Sequence, residues 1–306
     1  MIGEGGDGMF RVWVCRSRHW TIAVLVLTLT AVAFAKAWLA DEGRAVPGAA
    51  DEAGIPLSIV MYHGVTDDPS RVGPYVIPAS LLASDLAYLH DHGYTTVTVA
   101  DLLAYVEQGV PLPDRPVMLT FDDGYYNNFL YAHPLLERYG MCAVIAPIAR
   151  WSVFYSDTPD QQDRPAYSHM TWRQIRQMVD AGTGEFQCHS YDLHDTDRRR
   201  GIRHLPSETR EQYTAFLRED IDKAMALLTE ATGVVPTTFV YPFGATDEWA
   251  EPVLREVGFR AVFTCAERLN TITRDPSCLM ALGRYRRPHD TDSAAFFERI
   301  LTYGTE

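Results

Sequence analysis

From Pro116 to Phe121 the chain reads Pro-Val-Met-Leu-Thr-Phe, a nearly continuous apolar stretch that stops at Asp122-Asp123-Gly124. A run this short, with so little polar alternation, reads as a strand buried on both faces, as strands of parallel sheets are. Side chains alternate along a strand, so the two aspartates at its end need not do the same job. Taken alone, Asp-Asp-Gly is also an ordinary turn sequence.

Further short runs repeat the pattern. Strands are expected at 57–62, 95–99, 117–121, 142–146, 185–188, 237–241, 261–264 and 279–285. Helical stretches lie between most of them. The clearest starts after Ser207, with Tyr213, Phe216, Leu217, Ile221, Ala224, Met225 and Leu228 on one face and Gly233 as its stop. Alternation of strand and helix implies an α/β fold with a parallel sheet. It fits either an open doubly wound sheet or a closed barrel.

The run Glu185–Cys188 ends at His189, and His194 follows five residues later. That gap is too long for one face of a regular helix, so the pair belongs on a loop that curls back. Two imidazoles suit zinc, iron, cobalt or nickel, and one added carboxylate makes a facial set with open positions. A second carboxylate would then be free for proton transfer, the minimum for metal-assisted hydrolysis. Each half of the pattern is ordinary by itself, since the chain has 10 histidines.

Together the halves carry a resemblance. Thr120-Phe121-Asp122-Asp123-Gly124, then His189 and His194, then Phe239-Val240-Tyr241-Pro242-Phe243-Gly244, occur in that order. The chain resembles the polysaccharide deacetylase family, the NodB-homology domain or carbohydrate esterase family 4. Ile59-Val60-Met61-Tyr62-His63 is similar to the opening of the branch that acts on extracellular poly-N-acetylglucosamine. The resemblance runs from about Pro56 to Ile300 and implies an irregular (β/α) barrel of seven or eight strands.

It also implies roles. Asp122 is the expected general base, and Asp123, His189 and His194 are the expected ligands of a divalent metal, zinc first, with cobalt, nickel or iron(II) as alternatives. Tyr241, Pro242, Phe243 and Gly244 match a substrate-lining motif. The oxyanion donor there is the Phe243 N–H, because Pro242 has none. The chain departs from the family in two places. Where many members carry an arginine that orients the base, it has Val240 and Tyr241, which leaves Arg284 and Arg286 as candidate cations. The usual late Leu-x-His acid is also not evident, which points to His63 as acid and to His289 as a weaker alternative. The implied reaction removes N-acetyl groups from an N-acetylglucosamine polymer, with poly-β-1,6-N-acetylglucosamine as first substrate and peptidoglycan next. Cleavage of another amide, or a catalytically silent glycan-binding protein, stays open.

With 306 residues, 47% of them hydrophobic, there is material for one large core. The expected organisation is a cytoplasmic tail (1–19), a signal-anchor (20–40), a linker (41–55) and the catalytic domain (56–306). Trp20 to Ala40 carries a single charge, Lys36, and about 20 apolar residues span a bilayer. Arg11, Arg16 and Arg18 before it favour an internal N-terminus and an extracytoplasmic domain. A cleaved signal peptide is the alternative, since Ala33-Phe34-Ala35 and Ala35-Lys36-Ala37 both fit a cleavage site.

Of 27 basic and 40 acidic residues, four and two precede Asp41, leaving 23 against 38. An excess of 15 negative charges disfavours a nucleic-acid partner. The cysteines give no disulfide framework: Cys142, Cys188 and Cys265 sit in apolar runs as expected buried thiols, and Cys278, in a loop, is a candidate partner for Cys265. The arginine-rich stretch Asp195–Arg210 reads as a solvated loop, with a glycan-contacting lid as the alternative.

Overall fold

Residues 54–301 are described by a computed structural model. The expected tail, signal-anchor and most of the linker lie outside the described residues, as does Cys15. Among the described residues no helix is long and apolar enough to cross a membrane.

In chain order the elements are β1 (Ile55–Tyr62), β2 (Gly64–Thr66), β3 (Val76–Pro78), α1 (Ala79–Asp91), β4 (Thr95–Thr96), α2 (Val99–Gln108), β5 (Pro116–Asp123), α3 (His133–Tyr139) and β6 (Ala143–Pro147). There follow α4 (Ala149–Asp157), α5 (Trp172–Asp180), β7 (Gly184–Phe186), α6 (Arg210–Thr232), β8 (Thr238–Val240), α7 (Ala250–Val257), β9 (Ala261–Phe263), β10 (Asn270–Ile272), β11 (Tyr285–Arg286) and α8 (Ser293–Ile300). The fold is α/β. The largest sheet runs β10-β1-β5-β6-β7, with β11 also on β1 and β4 also on β5. Every pairing in it is parallel except β10 against β1. β8 and β9 form a separate parallel pair. Single parallel bridges join Cys188 to Phe239 and Phe263 to Leu282.

The apolar run at Pro116 becomes β5, buried along its length, with buried neighbours on both sides. Its residues alternate between two cores. Val117, Leu119 and Phe121 pack with Val60, Tyr62 and the residues of α1 and α8, whereas Met118 packs with Ile59, Val144, Val240 and Phe263. A third core forms where α6 and α7 cover Phe239 and Val262. The α6 helix meets expectation: Thr209 and Gln212 form a capping box, and Gly233 ends it in the left-handed conformation at φ 76°.

Two expected strands are shorter or displaced, and one strand was not expected. The strand expected at 95–99 stops at Thr96, because Thr98 and Asp101 cap each other and start α2. The run expected at 279–285 is a 3-10 turn over Pro276–Leu279, then a single bridge at Leu282, then β11. Asn270 and Thr271 gave no apolar signal, yet β10 pairs with β1, and the Asn270 side chain donates to the carbonyls of Leu57 and Gly283.

Candidate active site

Because β1, β5, β6, β7 and β11 run parallel, their C-terminal ends open to the same side, where sheets of this kind place ligand sites. A cavity of about 460 Å³ lies there. His63 enters from the end of β1, Asp122 and Asp123 from β5, His189 and His194 from the chain after β7, and Tyr241 and Phe243 from the chain after β8.

The two aspartates part company. Asp122 is in line with the strand, and Asp123 turns off it at φ 69°. Gly124 continues the turn at φ 75°, so close to Pro147 that an added Cβ would lie 2.5 Å from the proline ring. A non-glycine residue in the left-handed region is unusual and aims its side chain where a regular strand would not. Asp123 Oδ1 thereby lies 3.5 Å from His189 Nε2 and 3.4 Å from His194 Nε2. One ligand atom from each of these three residues falls within 4.8 Å of the others.

The donor set fits a divalent ion. His189 Nδ1 lies 2.8 Å from the Val240 carbonyl, which can only accept, so the proton is on Nδ1 and the Nε2 lone pair faces Asp123. A ligating imidazole is characteristically fixed in this way by its other nitrogen. Burial, together with neighbouring His189, pushes His194 down to about 3, so it is neutral and can donate its lone pair. Burial raises the Asp123 carboxyl, and a proton on the imidazoles beside it, His189 first, pulls the other way and holds it below its ordinary range.

Asp122 faces a different partner. Arg284, fully buried, grips it with Nη1–Oδ1 at 2.6 Å and Nη2–Oδ2 at 2.8 Å. The same guanidinium is held by the Thr264 carbonyl and Thr120 Oγ1. Burial raises the Asp122 carboxyl, and Arg284 more than offsets it, so Asp122 stays ionised. Of the two candidate cations, Arg284 meets Asp122 and Arg286 does not. Arg286 lines the cavity but donates to the Pro74 carbonyl and stands over Tyr75.

His63 lies in the cavity with its ring 4.9 Å from that of Tyr75. Burial lowers its pKa, with Asp122 and Asp123 pulling the other way. His289 is not among the cavity residues. Phe243 has left-handed backbone at φ 57°, its ring packs 4.9 Å from His194, and it is 41% exposed. Pro242 is buried, and Gly244 packs so tightly on Cys265 that a Cβ would fall 2.7 Å from it.

Two expectations are corrected. Cys265 is not a buried thiol; it is exposed on the cavity wall, and neither it nor Cys278 is in a disulfide. The stretch 195–210 is not simply solvated. Arg199 is bonded to both oxygens of Glu208 and lies 3.9 Å over Phe216, and Arg200 reaches the cavity. The other three arginines are exposed. Tyr75, Tyr125, Arg200 and Glu267 also line the cavity and carried no sequence signal beyond their neighbourhoods.

This architecture and site suit metal-assisted hydrolysis, and the comparisons give the class. The chain belongs to the polysaccharide deacetylase family, whose model matches residues 109–262. It is 28% identical over 266 residues to the poly-beta-1,6-N-acetyl-D-glucosamine N-deacetylase of Escherichia coli K12, covering 79% of this chain but 38% of that one. It thus spans about two fifths of that relative's length. Among solved structures it is similar to a de-N-acetylase from Aggregatibacter actinomycetemcomitans, with TM-score 0.67, 25% identity and coverage of 80% and 99%. It is also similar to IcaB from Ammonifex degensii, with TM-score 0.63, 27% identity and coverage of 78% and 94%.

Proposed function

We propose that this chain is a metal-dependent N-deacetylase of N-acetylglucosamine polymers, with β-1,6-linked poly-N-acetylglucosamine as its preferred substrate. One observation carries the chemistry: adjacent carboxylates in one cavity are given opposite partners, Asp123 facing two imidazoles and Asp122 a buried guanidinium. That division separates a ligand from a base. The linkage preference draws on the E. coli relative and on the Met61-Tyr62-His63 opening.

Asp123, His189 and His194 would hold the ion, zinc first. Such an ion supplies a Lewis acid that lowers the pKa of water and polarises an acyl carbonyl. Asp122, oriented by Arg284, takes the proton from water. The Phe243 N–H faces the oxyanion, and His63 gives a proton to the departing sugar amine. A carboxylate held as low as Asp122 is a weak base, so its work depends on the acidified water. The same reading takes both sheets as one irregular parallel barrel. The bridges at Cys188 and Leu282, the β11–β1 pairing, and an apolar core drawn from both sheets support it.

The test is acetate release by the full chain from matched β-1,6 and β-1,4 N-acetylglucosamine oligomers and purified cell wall. The β-1,6 series should be turned over fastest, chelation should abolish activity, and Zn²⁺ or Co²⁺ should restore it. Preference for wall or β-1,4 oligomers would reject the linkage, and full activity after metal stripping would reject the ligand set.

His63 can be checked separately. A general acid must be protonated, and burial places its titration below the imidazole's usual 6.5. kcat/KM should therefore fall as pH rises through that lowered value. His63→Ala should remove this alkaline limb while metal occupancy stays the same. An unaltered profile would move the acid role to another group.

A further inference from the structure

Between the two imidazoles, the backbone of the 189–194 loop is gripped by a carboxylate outside the cavity. On α6, Asp220 accepts from the Tyr191 N–H at 2.7 Å through Oδ1 and from the Asp192 N–H at 2.8 Å through Oδ2. One oxygen serves each amide, which fixes both the position and the tilt of the segment. The other backbone ties of the loop are uncharged: Ala149 N–H donates to the Ser190 carbonyl, Arg150 N–H to that of Tyr191, and Leu193 N–H to Ser190 Oγ. Ser190 itself is left-handed at φ 76°, a conformation that must be held by its surroundings.

The position of Asp220 is costly. It falls in register with Tyr213, Leu217 and Ala224, the face of α6 that enters the apolar core. Burial pushes its carboxyl up to about 6, against the pull of the two amide bonds. An ionisable group on a core face is expected only where specific donors need it. Here the donors lie in the five-residue link that sets the span between His189 and His194.

We propose that Asp220 is a positioning residue for the metal centre: by clamping the backbone between His189 and His194 it sets the spacing of their imidazoles. The inference rests on the metal reading above. It predicts that Asp220→Asn, which removes the charge and one of the two acceptors, weakens metal affinity by about 10- to 100-fold, the usual effect of outer-shell partners. The full chain would be loaded with Co²⁺ and Zn²⁺, affinity read by chelator competition and ligand geometry by the Co²⁺ absorption spectrum. Asp220→Glu keeps the charge but lengthens the side chain by one methylene. It should shift the Co²⁺ spectrum with a smaller loss of affinity. Leu217→Ala, on the same face and without a bond to the loop, should lower Tm and leave both metal readouts unchanged.

If the unmodified chain binds neither ion, the metal reading falls and this inference with it. If it binds and both Asp220 variants keep its affinity and spectrum, the positioning role alone is overturned. If Leu217→Ala weakens binding as much as Asp220→Asn, the effect is general loosening of α6, and the inference is again overturned. Should Asp220→Asn fail to fold, Asp220→Glu decides by the same criteria.

Discussion

Asp122→Asn should reduce kcat by about 10² or more while metal occupancy stays near that of the unmodified chain, the size expected for loss of a general base. Asp123→Asn should instead lose metal, because it removes the one carboxylate among the three ligand atoms. The contrast is the informative result, since the two residues are adjacent and carry the same functional group. Metal content by atomic absorption and single-turnover acetate release would be measured on both variants. Loss of metal from Asp122→Asn, with retention in Asp123→Asn, would exchange the two roles.

Arg284→Met should be the most destabilising single change at the site. It leaves Asp122 buried with no countercharge, and breaking a buried pair from one side costs about 3–5 kcal/mol. The sign with pH is definite. The pair holds the folded-state pKa of Asp122 below its ordinary value of 3.8, so its contribution is present above that value and lost as pH falls through the depressed one. In Arg284→Met the largest remaining influence is burial, which raises the carboxyl. The deficit should therefore be largest near neutral pH and shrink on acidification, as the carboxyl takes up a proton. Denaturant unfolding at pH 7 and pH 4 reads this directly, and an equal deficit at both would show that the pair is not what stabilises Asp122. The double variant Asp122→Asn/Arg284→Met should lose less stability than the two single changes added together.

Much of the fold was legible because it rests on local signals. Apolar runs buried on both faces gave β1, β5 and β6, and the 3.6-residue period with a glycine stop gave α6. The candidate metal ligands were legible as residue types at or just after the ends of such runs. What sequence left open depends on contacts between distant residues. The Asp122 cation could not be chosen between Arg284 and Arg286, because residues two apart in extended chain point to the same side, and only tertiary contacts decide that Arg284 reaches Asp122 while Arg286 reaches the Pro74 carbonyl. Cys265 looked like a core thiol because it follows Ala261–Phe263, yet the strand ends there and the next residues turn out to the cavity. Asp220 had a usable signal that went unused, a carboxylate at helical spacing among buried apolar residues.

The pairing of Asp122 with Arg284 joins residues 162 apart and has a consequence for where this protein can be cut. The segment matched by the family model, 109–262, contains Asp122 and the three candidate metal ligands but excludes both Arg284 and His63. A fragment trimmed to those limits would retain each hallmark of the motif and bury a carboxylate with no countercharge. It would also lose β1, the central neighbour of β5. The smallest piece worth expressing runs from β1 through α8, whose last residue accepts a hydrogen bond from Ser58 on β1. The first strand and the last helix of the described segment are thus fastened to each other, and the Asp122–Arg284 pair closes only when the chain beyond residue 262 is present.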